Sequence, residues 1–404
     1  MNVLFLSLLS FLGAPFEVEV VSNDKTAGAM TLVFEEDLRF GGEEEEDVYL
    51  WADGQAPANF TVSPDGRIFV MDLKNSQILE FDSKGLFTKV FAKRGEGPDE
   101  YQGLGHFQIF DDGSAIGFDQ LQGTTKFSYY DSNLVFQKTE VKSGFDEIIA
   151  RPTFARNGKF FFAWYMNYNT DTNTMLFKTG IFNEKLALVK ELSSLKWPIP
   201  DQTRIGDSNM WVDYLADQFK LLLNRGTSVA AFTSDHSILV ADGKNYEIQV
   251  WDPTYENHLK TITKEFDPIA YTESDKESLV SNIEDVIFAQ GGNQLSGIIT
   301  KNVIQKAVAK AEVPPYRNGL LDVIPMEKGQ FMALRDWSFE TGSFKGEIFD
   351  ASGKFIGTAT SPGGGVSSLF GTRALFRNGF FYAMEKSEEG DNQMVRYRYT
   401  LKKN

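Results

Sequence analysis

Cysteine is absent from the 404 residues. That excludes disulfides, thiolate metal sites, a cysteine nucleophile and a lipid-modified N-terminal cysteine. Histidine is scarce, with copies only at His106, His236 and His258. Basic residues are outnumbered, 40 Lys and Arg against 56 Asp and Glu. The resulting net charge of −16 argues against nucleic-acid backbones and anionic membrane surfaces as partners, since both require a basic patch. Beyond the first residues no apolar run is long enough to span a bilayer, so the sequence predicts no transmembrane anchor. The triple glycine at 363–365 lacks any Walker or dinucleotide context and reads as loop.

What is present suits a folded chain: 42% hydrophobic residues, with 14% aromatic, are ample for a packed core. The opening "MNVLFLSLLSFLGAPFEVEV" holds an apolar run from Val3 to Leu12, followed by the small residues Gly13 and Ala14. This reads as a secretory signal over residues 1–14, although it lacks a Lys or Arg before the apolar run and has Pro15 just after Ala14. A periplasmic or extracellular location follows from that reading.

The body of the chain repeats. Aligned on a turn glycine, the copies are "FTVSPDGRIFVMD" at 60–72, "FQIFDDGSAIGFD" at 107–119, "PTFARNGKFFFAW" at 152–164, "AAFTSDHSILVAD" at 230–242, "VIPMEKGQFMALR" at 323–335 and "RALFRNGFFYAME" at 373–385. Each reads as strand, tight turn, strand, with glycine at the positive-φ position. His236 replaces that glycine in the fourth copy, which predicts a looser turn there. A second hairpin follows, marked by an aromatic or Ile-Phe pair and then Asp or Asn, as in "EFDSKG" at 80–85, "YYDSN" at 129–133, "IFNEK" at 181–185, "VWDPT" at 250–254 and "IFDASG" at 348–353. The last copy runs out of chain after its third strand, "MVRYRYT". The unpaired "AMTLVFEEDL" near the N-terminus can supply the missing one. The expectation is an all-β, six-bladed β-propeller of four-stranded antiparallel blades, forming one domain over 28–404, with the last blade closed by an N-terminal strand.

The pattern resembles the six-bladed NHL-like/TolB-like β-propellers of bacteria. "KRGEGPDEYQGL" at 93–104 is similar to a loop found after the first blade in an exported branch of them, and "PPYRNGLLDVIPMEKGQFMAL" at 314–334 looks like their penultimate-blade entry. The resemblance covers roughly 28–401 and implies the fold. It implies no activity, because that branch carries no agreed catalytic motif.

Strand alternation places both short turns of every blade at one end. The longer connections, at 93–104, 165–174, 194–226, 265–314, 336–343 and 361–372, then share the other, where binding is expected. Two of these insertions, about 194–226 and 265–314, read as helical. "TESDKESLVSNIEDVIFAQGG" opens with a capping-box spacing at Thr272 and Asp275, and "NMWVDYLADQFKLLL" aligns Trp211, Leu215, Phe219 and Leu222 on one face. Both are expected to pack on the propeller rim, or to form a lid or partner surface.

Inner strands that start on the long-loop face bring Asn59, His106, Arg151, Val229, Asp322 and Thr372 toward the channel, with Arg317 and Arg373 close by. The three histidines fall on separate parts of this framework, which disfavours a zinc site or a Ser-His-Asp triad. Asn59 and Asp322 leave room for a calcium-dependent propeller lactonase or hydrolase, but the ring lacks a Glu. Arg151, Arg317 and Arg373 instead suggest an anion clamp, unless local acids occupy them. Loop aromatics, among them Tyr101, Trp164, Tyr165, Tyr168, Trp197, Trp211, Tyr316 and Trp337, would suit a sugar or peptide unless they belong to the core. The acidic run 43–47 reads as solvated loop. The leading expectation is a non-catalytic binding module without cofactor, taking a small-molecule, glycan or protein ligand.

If the apolar start is a signal, the mature protein begins between Ala14 and Ala29. N-terminal sequencing of protein from its native compartment checks this, and intact Met1 there would refute it.

Overall fold

A computed structural model describes residues 18–25, 30–41, 50, 59–72, 75–121, 124–143, 147–169, 174–197, 199–224, 228–277, 280, 297–337, 343–361, 374–387 and 392–404. Two N-terminal strands come first, β1 (Glu19–Asn23) and β2 (Met30–Phe40). Three antiparallel four-stranded sheets follow in chain order: β3 (Asn59–Val62), β4 (Ile68–Asp72), β5 (Gln77–Phe81) and β6 (Phe87–Ala92); β7 (Leu104–Ile109), β8 (Ala115–Leu121), β9 (Thr124–Tyr130) and β10 (Phe136–Ser143); β11 (Glu147–Phe154), β12 (Phe160–Asn169), β13 (Thr174–Asn183) and β14 (Leu188–Trp197). The fourth sheet holds β15 (Ser228–Phe232), β16 (Ile238–Asp242), β17 (Glu247–Trp251) and β18 (His258–Lys264), with β1 added in parallel at its outer edge. The last strands, β19 (Asp322–Pro325), β20 (Phe331–Trp337), β21 (Phe344–Phe349), β22 (Phe355–Thr360), β23 (Ala374–Arg377), β24 (Phe380–Lys386) and β25 (Asn392–Lys403), form one eight-stranded sheet with β2.

That large sheet has two four-stranded halves, joined where β2 runs parallel to β22 over Met30–Leu32. Along most of its length β2 pairs antiparallel with β25, from Met30 opposite Lys403 to Phe40 opposite Met394. The N-terminal segment therefore straps three consecutive units from outside. Asn23 is its rivet: the side chain donates to the carbonyls of Thr263 at 3.2 Å and Gly353 at 3.1 Å, and accepts from the Phe355 N–H at 2.9 Å.

The turns explain the repeat. Gly66, Gly113, Gly158, Gly329 and Gly379 all have φ between 69° and 86°, the conformation for which glycine has no steric penalty. His236 takes the same position at φ 67°. Its turn is not looser: Thr233 N–H bonds the Ser237 carbonyl at 3.0 Å and His236 N–H the Thr233 carbonyl at 3.0 Å, as in the first copy. Histidine is among the residues that tolerate this region, so the hairpin hydrogen bonds outweigh the local strain. In the second hairpins one side-chain oxygen of Asp82, Asp131, Asn183, Asp252 or Asp350 accepts backbone N–H groups two and four residues on, at 2.8–3.1 Å. The Asp or Asn of that motif is an Asx turn, and its role is structural.

Apolar side chains fill the space between successive units. Phe69 and Met71 meet Phe107 and Ile109; Phe118 and Phe127 meet Phe161 and Tyr165; Phe162 and Ile181 meet Phe232 and Ile238. Leu239 and Ala241 meet Val323 and Phe331, Met332 and Phe344 meet Phe376 and Phe381, and Tyr382 and Met394 meet Val62 and Phe81. The last cluster joins the end of the chain to the first sheet, as a β-propeller requires.

Two described helices belong to the insertions. α1 (Ser208–Asn224) and α2 (Lys301–Lys310) pack on each other. Their core of Trp211, Leu215, Phe219, Val303, Ile304 and Ala307 includes no blade-strand residue among those described. The first insertion also begins later than expected, because β14 continues through Trp197. Most of the helix expected over 272–292 lies outside the described residues.

Deleting 28–40 removes the ladder with β25 and uncovers a sheet edge. Such a protein should aggregate or lose most of its thermal stability, whereas unchanged melting would show that β2 is dispensable.

Candidate functional site at the channel mouth

The second residue of each first turn lies two positions before its positive-φ residue: Pro64, Asp111, Arg156, Ser234, Glu327 and Arg377. Five of these, with Lys328, Asn378, Gly379 and Tyr399, line a cleft of about 570 Å³. Equivalent turns of different units meet there, so the cleft is the short-turn end of the channel.

The turns are laced together across that opening. Arg156 Nη2 donates to the Phe376 carbonyl at 3.0 Å, a bond between the third unit and the sixth. Arg377 reaches the second unit, donating to the carbonyls of Ile109 at 3.4 Å and Phe110 at 3.1 Å, with its Nη2 3.1 Å from the Asp111 carboxylate. Asn378 donates to the Ser63 carbonyl at 3.1 Å, and its N–H to Glu327 at 3.1 Å. Gly329 N–H is received by the Ser234 hydroxyl at 2.9 Å, and Asp111 N–H by the Arg156 carbonyl at 3.0 Å.

The two arginines differ in commitment. The Arg377 side chain is 3% exposed and is engaged by two carbonyls and the Asp111 carboxylate. Burial pulls its pKa down, while Asp111 acts against that shift. Arg156 is 12% exposed, and its acids are farther off, Asp111 at 3.8 Å and Glu327 at 3.9 Å. These separations exceed hydrogen-bond reach. Three cations, Arg156, Arg377 and Lys328, face two carboxylates, Asp111 and Glu327. The mouth is thus locally positive in a chain of net charge −16.

The residues singled out in the sequence distribute otherwise. Asn59 opens β3 opposite Met71, and Asp322 opens β19, where its carboxylate accepts the Val323 N–H at 2.8 Å. Arg317 is held by both Asp275 and Asp336, with its guanidinium 5.4 Å from the Tyr271 ring. It fastens the helical segment to the fifth unit, so local acids already occupy this member of the expected anion clamp. Arg151 lies in β11 at a register break between Ala150 and Thr153, and its side chain is outside the described residues, as is that of Trp337 at the end of β20. Arg373 and Thr372 lie wholly outside them.

Tyr101 and Tyr165 are not stacking platforms, because both are fully buried. The Tyr165 hydroxyl donates to Glu191 at 3.1 Å. Tyr101 pins the 93–104 loop: its hydroxyl bonds that of Tyr130 at 2.9 Å, and a Cβ on Gly117 would collide with it. Around it Gly97 N–H bonds Glu100 at 2.9 Å, Lys126 donates to the Gly97 carbonyl at 3.0 Å, and Asp119 accepts from Gln102 and Gly103 at 3.0 and 2.6 Å. The glycine-rich loop is a self-satisfied clasp between the first two units. Trp211 is likewise core, in the helical cluster.

His106 stacks on Phe154 at 6.0 Å, and its Nε2 is buried with no hydrogen-bond partner among the described residues. Burial pulls its pKa from the ordinary 6.5 to about 4, with Gln108 opposing the shift. Below pH 6.5 the unfolded chain therefore takes up a proton that the folded chain refuses, so this residue lowers stability progressively down to about pH 4. His106→Leu should flatten that stretch of a melting-temperature profile relative to wild type. Parallel profiles would refute the assignment.

A family model described as a 6-bladed beta-propeller matches residues 61–185. That blade number agrees with the four-stranded units that the sheets divide into, and the all-β sheets are those of a β-propeller. No curated protein matches significantly. Among solved structures the chain is similar to a protein described as exported from Bacteroides fragilis, at 10% identity over 94% of this chain and 99% of that one, with a TM-score of 0.46. It is also similar to virginiamycin B lyase from Staphylococcus aureus, at 10% identity over 91% and 99% with a TM-score of 0.40. A third similar structure is the aldose sugar dehydrogenase of Streptomyces coelicolor, at 10% identity over 93% and 100% with a TM-score of 0.39.

Proposed function

We propose that this chain is an exported, non-catalytic binding propeller, a single domain of six blades closed by β2, whose ligand sits on the channel axis. The observation that carries this reading is the 570 Å³ cleft, into which turns from five units direct side chains. Clefts of that size at the axis of a rigid scaffold are the usual place for a small-molecule site. The absence of a nucleophile and base in contact around its lining, among the described residues, favours binding over turnover. The apolar N-terminus supports placement in the periplasm or outside the cell. No described helix is long and apolar enough to cross a membrane.

The alternative, a hydrolase or lactonase using a divalent cation, would need several oxygen ligands in one place. Among the described residues no group of three or more His, Asp or Glu side chains is arranged to hold a metal.

The two readings part in one experiment. The purified chain is screened by ligand-observed NMR against acidic sugars and short peptides, and assayed for ester and lactone hydrolysis with calcium and with chelator. Binding without turnover is expected. Stoichiometric calcium, with hydrolysis lost on chelation, would overturn the binding reading.

A further inference from the structure

We propose that the cleft at the short-turn end of the channel is a binding site for a small organic monocarboxylate, gripped by Arg156 with Lys328 as the second cation. This rests on the binding reading above and names its ligand class. Arg156 carries five N–H donors, of which the described contacts engage one, at the Phe376 carbonyl 3.0 Å away. Its neighbouring carboxylates stand at 3.8 and 3.9 Å, too far for hydrogen bonds. The guanidinium is nonetheless nearly buried and fixed in place, which is the condition for a two-pronged grip on a planar carboxylate. Lys328 lines the same cleft on a left-handed residue at φ 56°, and among the described residues no acid lies within ion-pair distance of it.

The acids of the cleft are otherwise occupied. Asp111 is 3.1 Å from Arg377, and Glu327 accepts the Asn378 N–H at 3.1 Å. A cationic ligand would have to compete for them. The same two carboxylates penalise a dense dianion such as phosphate more than a monoanion, by like-charge repulsion. Pro64 and the ring of Tyr399 supply apolar wall for the body of the ligand.

The test uses the full chain and three monocarboxylates, each beside its neutral counterpart: galacturonate and galactose, benzoate and benzamide, lactate and lactamide. Inorganic phosphate and galactosamine are added, and affinities are read by calorimetry or ligand-observed NMR. At least one carboxylate should bind roughly tenfold or more tightly than its counterpart, a difference of about 1.4 kcal/mol. It should also bind more tightly than phosphate or galactosamine. Arg156→Lys, which keeps the charge and loses the fork, should weaken it by about tenfold. Lys328→Ala, at an exposed position whose loss leaves the turn intact, should weaken it severalfold. Lys244→Ala, in the exposed turn between β16 and β17 on the opposite face, should change nothing. If no carboxylate outperforms its neutral counterpart, the ligand class is wrong. A carboxylate that binds equally well to wild type, Arg156→Lys and Lys328→Ala sits elsewhere, which overturns this site and leaves the binding reading standing.

Discussion

Everything in this molecule depends on the apolar seams between neighbouring four-stranded sheets. Such a sheet has two apolar faces and no means of covering either by itself, so each unit is stable only between two others. Closing the ring removes the last pair of uncovered faces. The seam that does so gathers Phe40, Tyr382, Met384 and Met394 against Val62, Val70 and Phe81. Phe40 is the final residue of β2, with its ring 4.7 Å from that of Phe81 and beneath Gly85, where a Cβ would strike it. One strand therefore completes the last ladder by hydrogen bonds and seals it to the first unit by packing. A buried aromatic of this kind contributes on the order of 1.5–3 kcal/mol. The closure it permits protects far more surface than its own.

With the ring closed, equivalent turns from all units meet at the axis. Their backbones are fixed by hairpin geometry, but the side chain at the second position is free to vary, and there the chain places two arginines, two acids, a proline and a serine. Arg377 acts as a strut, buried and bonded to carbonyls of the second unit. Arg156 is half strut and half open hand, since one N–H reaches the sixth unit and the rest of the group faces the cleft. Two residues at the same place in the repeat thus differ in how many of their donors the fold uses, and the proposed binding falls to the one with donors to spare.

Most of the architecture was legible because its determinants are local. The alternating strands, the turn glycines and the Asp or Asn of the second hairpins each act within a few residues, and β2 could be paired by elimination. The site was harder to read. Arg151 and Arg373 drew attention as expected strand starts, whereas the converging arginines are Arg156, just past the end of β11, and Arg377, the last residue of β23. The signal was present in the aligned turns, in the residue before the Asn-Gly of the third and sixth copies, but those turns read as purely structural. Burial of Tyr101 and capture of Arg317 by Asp275 and Asp336 arise from contacts distant in sequence. No local pattern announces such contacts. α2 lies within the insertion read as helical, but its apolar stripe of Val303, Ile304, Ala307 and Val308 spans only two turns and did not stand out.

The strap formed by β1 and β2 also sets an order of events. Arg396 bonds Asp37 across a separation of 359 positions, so the first strands made must wait for the last before either is satisfied. Contacts of such range fold slowly, and an unpaired strand is exposed to wrong partners in the interval. β2 is equipped for that delay. Its middle carries Glu35, Glu36 and Asp37 in sequence, charges that discourage edge-to-edge association until Arg396 and Arg398 arrive to neutralise Asp37. The acidic stretch that guards the waiting strand is the one that β25 recognises when the ring shuts.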